Sequence, residues 1–550
     1  MASLVLELLS GEIPMSMQKK AAEGIGKNIV NAIIAYYENH DDFHKDNIIV
    51  SYDLYSTRRI ALFIDYLPSL HSELVLVKDI IKGPKISCDD DILTAFMKKH
   101  EIANKDTLMS DGVNYIYHQR IHGKKAILEN LGIIIRNAIT AYKWEKSMRW
   151  GSYELEWVRP LYSVLCMYDE DIIPFTLGHL HSSNKTVGHR IYNNDVYIAP
   201  VVMTQCSLEV LSGSYFGECV TLSHSSDYVN ILKRYNVIIS NTERIECIKN
   251  AISSIIPNYT SVIEDETLLY VNSAITEFPS VLLGTIPEKY MSLPREVLIT
   301  TIKHHQRCMM LQYENGDIAP YFIIVNDIIS EHYDVDSIIR GNEKVVQARL
   351  EDASFIFLKE CNAPLDLLIS KLKELIFHEK VGSMYQKAER MKDICVKLYD
   401  ELRIKDDFFT VVDLNSIERA CFLSKVDLTT EMVREFPELQ GIIGAYYAKM
   451  HGESDEVVMA IKEHYHPLGR GDKILPISAL GIILSLSDRL DTLNQMFAIG
   501  IKPSSTKDPY ALRRAAISIN RILKHSNILE YDIMQEFVRT DVIEFLHEKR

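Results

Sequence analysis

The sequence has no G-x-x-x-x-G-K-[ST] phosphate loop; the nearest string, Gly24-Ile25-Gly26-Lys27-Asn28, lacks the first glycine at its required spacing. The chain therefore does not read as a P-loop nucleotide hydrolase. None of its nine cysteines belongs to a C-x-x-C pair, and an odd, scattered set is the pattern of free thiols in a reducing cytosol. No apolar run approaches the roughly 20 residues that a membrane-spanning helix needs. The best, Ile477 to Leu486, is short and interrupted by serine, so no membrane association is expected. The first residues, MASLVLELLSGE, lack a basic leader and carry Glu7 and Glu12, so no secretory signal is expected. Basic residues are not in excess either. With 60 Lys and Arg against 75 Asp and Glu, the formal charge of −15 argues against a protein that coats nucleic acid nonspecifically. A local basic surface remains compatible with that total.

What is present is ordinary globular composition, 47% hydrophobic and 25% charged, in a 550-residue chain too long for one core. Roughly three or four domains are expected from length. The sequence reads as multi-domain α+β, with a mixed strand and helix N-terminal region followed by an all-helical C-terminal region. Leu4–Leu9, Ile48–Tyr52, Arg58–Tyr66, Tyr115–Ile121, Ser280–Leu283 and Tyr321–Val325 read as strands. Leu161–Met167 and Ile172–Leu177 read as a hairpin around the acidic turn 168–171. Helices are expected from Pro14 to about Tyr37, from Ala126 to about Tyr142, and over Asp227–Ile256. After Gly341 strand signals nearly vanish, and Leu365–Phe377, Gln386–Leu402, Ser416–Phe436, Asp455–His464 and Ile477–Leu493 show helical spacing. The expected divisions are 1–150 and 151–340, both α+β, a helical connector 341–410, a helical domain 411–500, and C-terminal helices 501–550.

The most informative stretch is Lys507-Asp508-Pro509-Tyr510-Ala511-Leu512-Arg513-Arg514-Ala515-Ala516. It reads as a helix start, with Asp508 as the cap and Pro509 at the first helical position. Adjacent Arg513 and Arg514 point about 100° apart around such a helix, so both cannot face one apolar core. KDPYALRRAA resembles the KDPFALRRAA signature of the β subunit of bacterial two-subunit glycyl-tRNA synthetase. Further segments are similar to that family in the same order: STRRIAL at 56–62, KSMRWG at 146–151, WVRP at 157–160, GHRI at 188–191 and TEFPSVLLG at 276–284. They continue with GNEKVVQARLEDASFIF at 341–357, MVREFPELQGIIGAYYA at 432–448 and SDRLDTL at 487–493.

The resemblance implies an α2β2 ligase in the cytoplasm, whose α subunit makes glycyl-adenylate with ATP and Mg2+ while β positions tRNA-Gly. No cofactor and no catalytic residue is then expected in this chain, which also lacks HIGH-type and KMSKS-type segments. Family members continue past the region of Arg550 into an anticodon-binding helical module, which is not expected here. Lys507, Arg513 and Arg514 are the expected tRNA-facing residues.

Phe422–Leu428 and Ser487–Asp491 resemble two strings of the HD phosphohydrolase fold, in which a histidine-aspartate dyad holds a water-activating metal. Val426 stands where the dyad histidine should be and has no lone pair, so Asp427 and Asp488 read as a degenerate remnant without metal. As survivors they would serve as caps or as partners for Lys425 and Arg489. The alternatives are a metal-dependent phosphohydrolase on these helices, or a scaffold that binds the α subunit without contacting RNA. Arg58-Arg59, and Arg340 with Lys344 and Arg349, are further basic points. Gly469-Arg470-Gly471 is a loop with a basic residue. All three tryptophans fall between 144 and 157 among Lys143, Lys146, Arg149 and Arg159, a pattern shared by RNA-stacking surfaces and packed junctions. His179, His181, His189, His304, His305, His464 and His466 read as solvated or core hydrogen-bonded rather than as ligands.

Overall fold

The computed structural model describes residues 2–38, 43–70, 77–85, 87–100, 102, 108–110, 115–122, 124–190, 219–328, 333–469, 471–504, 507–528 and 534–549. Arg470, Ile191 and the side chain of His305 lie outside the described residues. The chain forms two compact units, Met1–Gly284 with Ile323–Arg340, and Thr285–Phe322 with Gly341–Arg550.

In the first unit Ala2–Ser10 (β1) is an interior strand of a seven-stranded sheet, paired antiparallel with Arg59–Leu67 (β2) and Leu161–Tyr168 (β3). Every residue of β1 is buried, as a strand covered on both faces must be. Alternation sorts its side chains. Leu4, Leu6 and Leu8 join the core with helices Met15–Tyr37 (α1) and Lys124–Ala141 (α2), while Val5 packs with Ala61, Leu165, Met167 and Tyr228 on the other side. Glu7 shares the second face with Val5 by the same alternation. Ile25, Ile29 and Ile33 of α1 meet Ile127, Leu131 and Ile135 of α2 in the first core, each set at helical spacing. Gly132 is required there, because a Cβ would stand 2.2 Å from the Pro174 carbonyl oxygen.

Two expected elements are divided. Ile172–Leu177 is not one strand: Asp171–Ile172 closes back on β3, whereas Thr176–Leu177 pairs with Leu180–Ser183. Pro174 lies between them and has no N–H for a ladder. The stretch Asp227–Ile256 is two helices, Tyr228–Arg234 and Asn241–Ile255. Asn236 takes a left-handed φ of 57°, and Ser240 caps the second helix through the Glu243 N–H.

Among the described residues the second unit is helical after Gly341 apart from one small hairpin, Ile376–His378 with Gly382–Ser383, which occupies the end of the stretch expected as helix to Phe377. Ser383 then starts Met384–Lys405 (α3) with a capping box completed by Gln386. Leu414–Leu423 (α4), Asp455–Glu463 (α5), Ala479–Ala498 (α6) and Leu512–His525 (α7) follow. α6 is buried around its whole circumference from Ala479 to Asp488 and packs against α3, α5 and α7. Ser416–Phe436 is not continuous. After α4 the chain makes a 3-10 turn, Val426–Thr429, and Thr430 caps a new helix, Glu431–Glu435, through the Val433 N–H. Side-chain hydrogen bonds of Thr429 and Thr430 to nearby carbonyls compete with the helix ladder at this point.

Candidate functional site

The break after α4 aims Lys425 and Asp427 into the helical interior, where both are buried. Lys425 extends its ammonium to Asp488 Oδ2 on α6 (2.9 Å), to His464 Nε2 (3.0 Å) and to the Tyr465 hydroxyl (3.0 Å). Lys387 of α3 takes the other oxygen of Asp488 at 2.9 Å and reaches Asp491 at 3.2 Å, and Arg390 closes Asp491 at 2.6 Å. Two ammonium groups therefore neutralise the carboxylate that a metal would otherwise hold. An ammonium has no acceptor and no open coordination position, so it cannot polarise a water as a Lewis acid does. Among the described residues there is no group of three or more His, Cys, Asp and Glu side chains placed to hold a metal ion.

The electrostatics follow from this pairing. Burial would raise the Asp488 carboxyl, but Lys387 and Lys425 hold it well below the usual carboxylate range. Burial, and then Lys425, push His464 well below the ordinary histidine value. Its Nδ1 lies 2.7 Å from the Ile461 carbonyl, which can only accept, so Nδ1 carries the proton and Nε2 accepts from Lys425. Asp427 is treated differently. Oδ2 accepts from the Gly441 N–H, Oδ1 has no donor among the described residues, and burial raises the carboxyl to about 6. Arg489 is not an aspartate's hydrogen-bond partner, contrary to expectation. It donates to the carbonyls of His464 and Tyr465 and to the Ser485 hydroxyl, bracing the loop around the centre.

Lys387, Tyr465 and Asp491 were not singled out from sequence. For Lys387 a signal exists: it sits on the buried stripe of α3 formed by Met384, Ala388, Met391 and Cys395, where a lysine needs a buried counter-charge.

At the second candidate site, α7 starts at Leu512 rather than at Pro509. Ala511 takes a left-handed φ of 55°, which stops the helix from extending backwards. Asp508 still caps, accepting from the N–H groups of Leu512 (2.8 Å) and Arg513 (3.0 Å). α7 buries Leu512, Ala516, Ile519, Ile522 and Leu523. Lys507 and Arg514 are exposed and Arg513 is half-buried, and none of the three has a carboxylate partner among the described residues. Arg521, on the same helix, donates to the carbonyls of Gly469 and Asp472 and is structural.

Arg58 and Arg59 belong to the interior, not to a surface. Arg59 lies between Glu277 (3.1 Å) and Glu7 (3.6 Å) and donates to the Val187 carbonyl (2.8 Å). Glu7 also accepts from the hydroxyls of Thr186 (2.6 Å) and Tyr228 (2.7 Å). Burial would raise the Glu277 carboxyl, but Arg59 and Arg58 bring it down to about 2. Arg340, Lys344 and Arg349 share the helix Val335–Cys361, where Arg340 pairs with Asp334 at 3.7 Å and Lys344 and Arg349 are exposed. The histidines separate: His179 stacks on Tyr153 (4.0 Å), His181 meets the Thr176 hydroxyl (3.1 Å), and buried His189 pairs with Asp327 (3.1 Å). His304 meets Glu438 (3.3 Å) and His466 meets Asp472 (2.9 Å).

A family model described as glycyl-tRNA synthetase beta subunit matches residues 4–548. The glycine–tRNA ligase beta subunit of Rickettsia canadensis is 35% identical over 528 residues, which cover 95% of this chain and 71% of that protein. That of Rickettsia felis is 35% identical over 532 residues, 96% of this chain and 73% of the relative. The Rickettsia prowazekii protein is 35% identical over 525 residues, with 95% and 71% covered.

Proposed function

Because this chain belongs to the glycyl-tRNA synthetase beta subunit family, and so is a subunit of an aminoacyl-tRNA ligase, we propose that its own task is to bind tRNA-Gly and hold the acceptor end at an active site carried by the separate α subunit. ATP and Mg2+ are used at that α site. Two α and two β chains make up the enzyme, which works in the cytoplasm. No helix among the described residues is long and apolar enough to cross a membrane.

The observation that carries this division of labour is the lysine-filled centre. The helices whose sequence resembles a catalytic metal fold hold Asp488 between Lys387 and Lys425, so ammonium groups occupy the carboxylate. That favours binding over hydrolysis. Lys507 and Arg514, exposed without carboxylate partners among the described residues, supply phosphate contacts, and half-buried Arg513 adds a third. Glycine-dependent pyrophosphate exchange tests the reading: the isolated chain gives none, and addition of α restores it. Exchange by the chain alone, free of α, refutes the division of labour. Absence of tRNA binding across a salt series would leave only a scaffold role.

A further inference from the structure

The connection between α3 and α4 carries large apolar side chains out into solvent. Ile404 is 81% exposed, Phe408 47%, Val411 73% and Leu414 55%. Helix connections run over the surface and are ordinarily polar. A single exposed apolar residue needs no explanation, but four within residues 404–414 form a ridge of the kind that marks an interaction site. The connection is also firmly held. Phe409 and Val412 are buried, and the 3-10 turn Asp407–Phe409 packs on α3 and α6. Asp406 caps that turn through the Phe408 N–H (2.9 Å), and Asp413 caps α4 through the Ser416 N–H (3.3 Å). Each buried anchor directly follows an exposed residue, so seating Phe409 and Val412 in the core fixes Phe408 and Val411 outward. A surface held in place before binding has less freedom to lose when a partner covers it.

The charges around the ridge decide what fits it. Glu401, Asp406, Asp407 and Asp413 are all exposed there. Arg403 is engaged by Asp400 at 2.9 Å, which leaves Lys405 as the other cation of residues 400–414. Asp406 and Asp407 also follow the C-terminus of α3, where the helix dipole is itself negative and a carboxylate is unfavourable. These carboxylates therefore do not serve the stability of α3, and they deepen the negative potential of the ridge. Duplex RNA presents phosphates that such a surface repels, and it offers no aliphatic face to cover the apolar centre. A second copy meeting ridge to ridge, as a two-fold contact requires, sets carboxylates against carboxylates. The complement is a protein surface with an apolar centre and a basic rim.

We propose that this ridge docks the α subunit, with Ile404, Phe408, Val411 and Leu414 as the apolar centre of the contact and the surrounding carboxylates facing basic side chains of α. The assignment rests on the reading of this chain as the partner of a separate α subunit. It divides the helical unit by charge, with the cations at α7 for RNA and the acidic ridge for protein.

The affinity of the full chain for purified α, measured by analytical ultracentrifugation across a salt series, tests this. Val411→Glu should weaken the complex about tenfold or more, and Ile404→Ser about fivefold. Both positions are exposed, so the melting curves should stay at wild type. Met450→Ser removes a comparably exposed apolar side chain elsewhere in the second unit and should change nothing. Added salt should weaken the wild-type complex, and Asp407→Asn should flatten that dependence. Charging of tRNA by Val411→Glu should fail at limiting α and return at high α. The ridge is overturned if α binds wild type and Val411→Glu alike, an outcome that leaves the α-partner reading intact. It is overturned equally if Met450→Ser weakens the complex as much. Loss of tRNA binding by Val411→Glu with α affinity unchanged would assign the ridge to RNA instead. Loss of self-association of the chain in the absence of α would assign it to a second copy. A wild-type chain that binds no α refutes the partner reading and the ridge with it.

Discussion

Asp427 is a buried carboxylate whose neighbours match it only in part. One carboxylate oxygen accepts from Gly441, the other has no donor among the described residues, and burial raises the group from 3.8 to about 6. An acid with a raised folded pKa binds its proton more tightly in the native state than in the unfolded one. Stability from this group is therefore full below the unfolded value and is lost as pH rises through about 6. The Asp427→Asn variant carries an amide there, which does not titrate. Relative to wild type, the variant should gain about 2 kcal/mol between pH 4.5 and pH 8, at about 1.4 kcal/mol per pH unit up to the folded pKa. Urea unfolding of both proteins at the two pH values measures this; a difference independent of pH would show that Asp427 is not perturbed. Asp488 needs no such relief, because Lys387 and Lys425 already match its charge.

At the scale of elements, α7 and the segment just before it combine an apolar docking face with exposed cations. Its apolar face docks through Leu512, Ala516 and Ile519, while Lys507 and Arg514 stay exposed and Arg513 is half-buried. Asp508→Ala removes the acceptor for two N–H groups at the helix start and should cost about 1 kcal/mol of stability, with tRNA affinity of the folded fraction unchanged. Lys507→Ala with Arg514→Ala should leave the melting temperature unchanged but reduce the slope of tRNA affinity against salt by about one unit per lost contact. Pyrophosphate exchange with α should be unaffected in both. A wild-type salt slope in the double variant would remove these cations from the interface. Arg513, whose side chain is half-buried, should show a mixture of both effects when changed to alanine.

For the molecule as a whole, the charge of −15 means that RNA must be met by a local surface, since long-range attraction is absent. The proposed division of labour makes the chain dependent on a partner for chemistry. Mixed with α in excess, the 63.1 kDa chain should enter a particle holding two copies of each subunit, read as mass by light scattering. A particle with one of each would overturn the proposed stoichiometry. Stepwise dilution should dissociate the assembly and abolish tRNA charging together, because the proposed division of labour needs the tRNA-holding chain beside the α active site.

Local pattern carried much of this protein. The apolar run Leu4–Leu9 placed β1, helical spacing of apolar residues placed α1 and α3, and the ordered family segments from STRRIAL to KDPYALRRAA were enough for the family. Val426 was legible too, standing where the dyad histidine of a metal-holding fold would be. What lay beyond the sequence was the fate of individual charges. Arg59 reads only as a basic point beside Arg58, yet it is buried because Glu7 and Glu277, remote in sequence, arrive on either side of it. Lys387 and Lys425 became counter-ions of Asp488 only once α3, α6 and the turn after α4 came together. Periodicity is a property of neighbours along the chain and can be read there. Whether a charge may leave water depends on a partner that only the tertiary fold delivers.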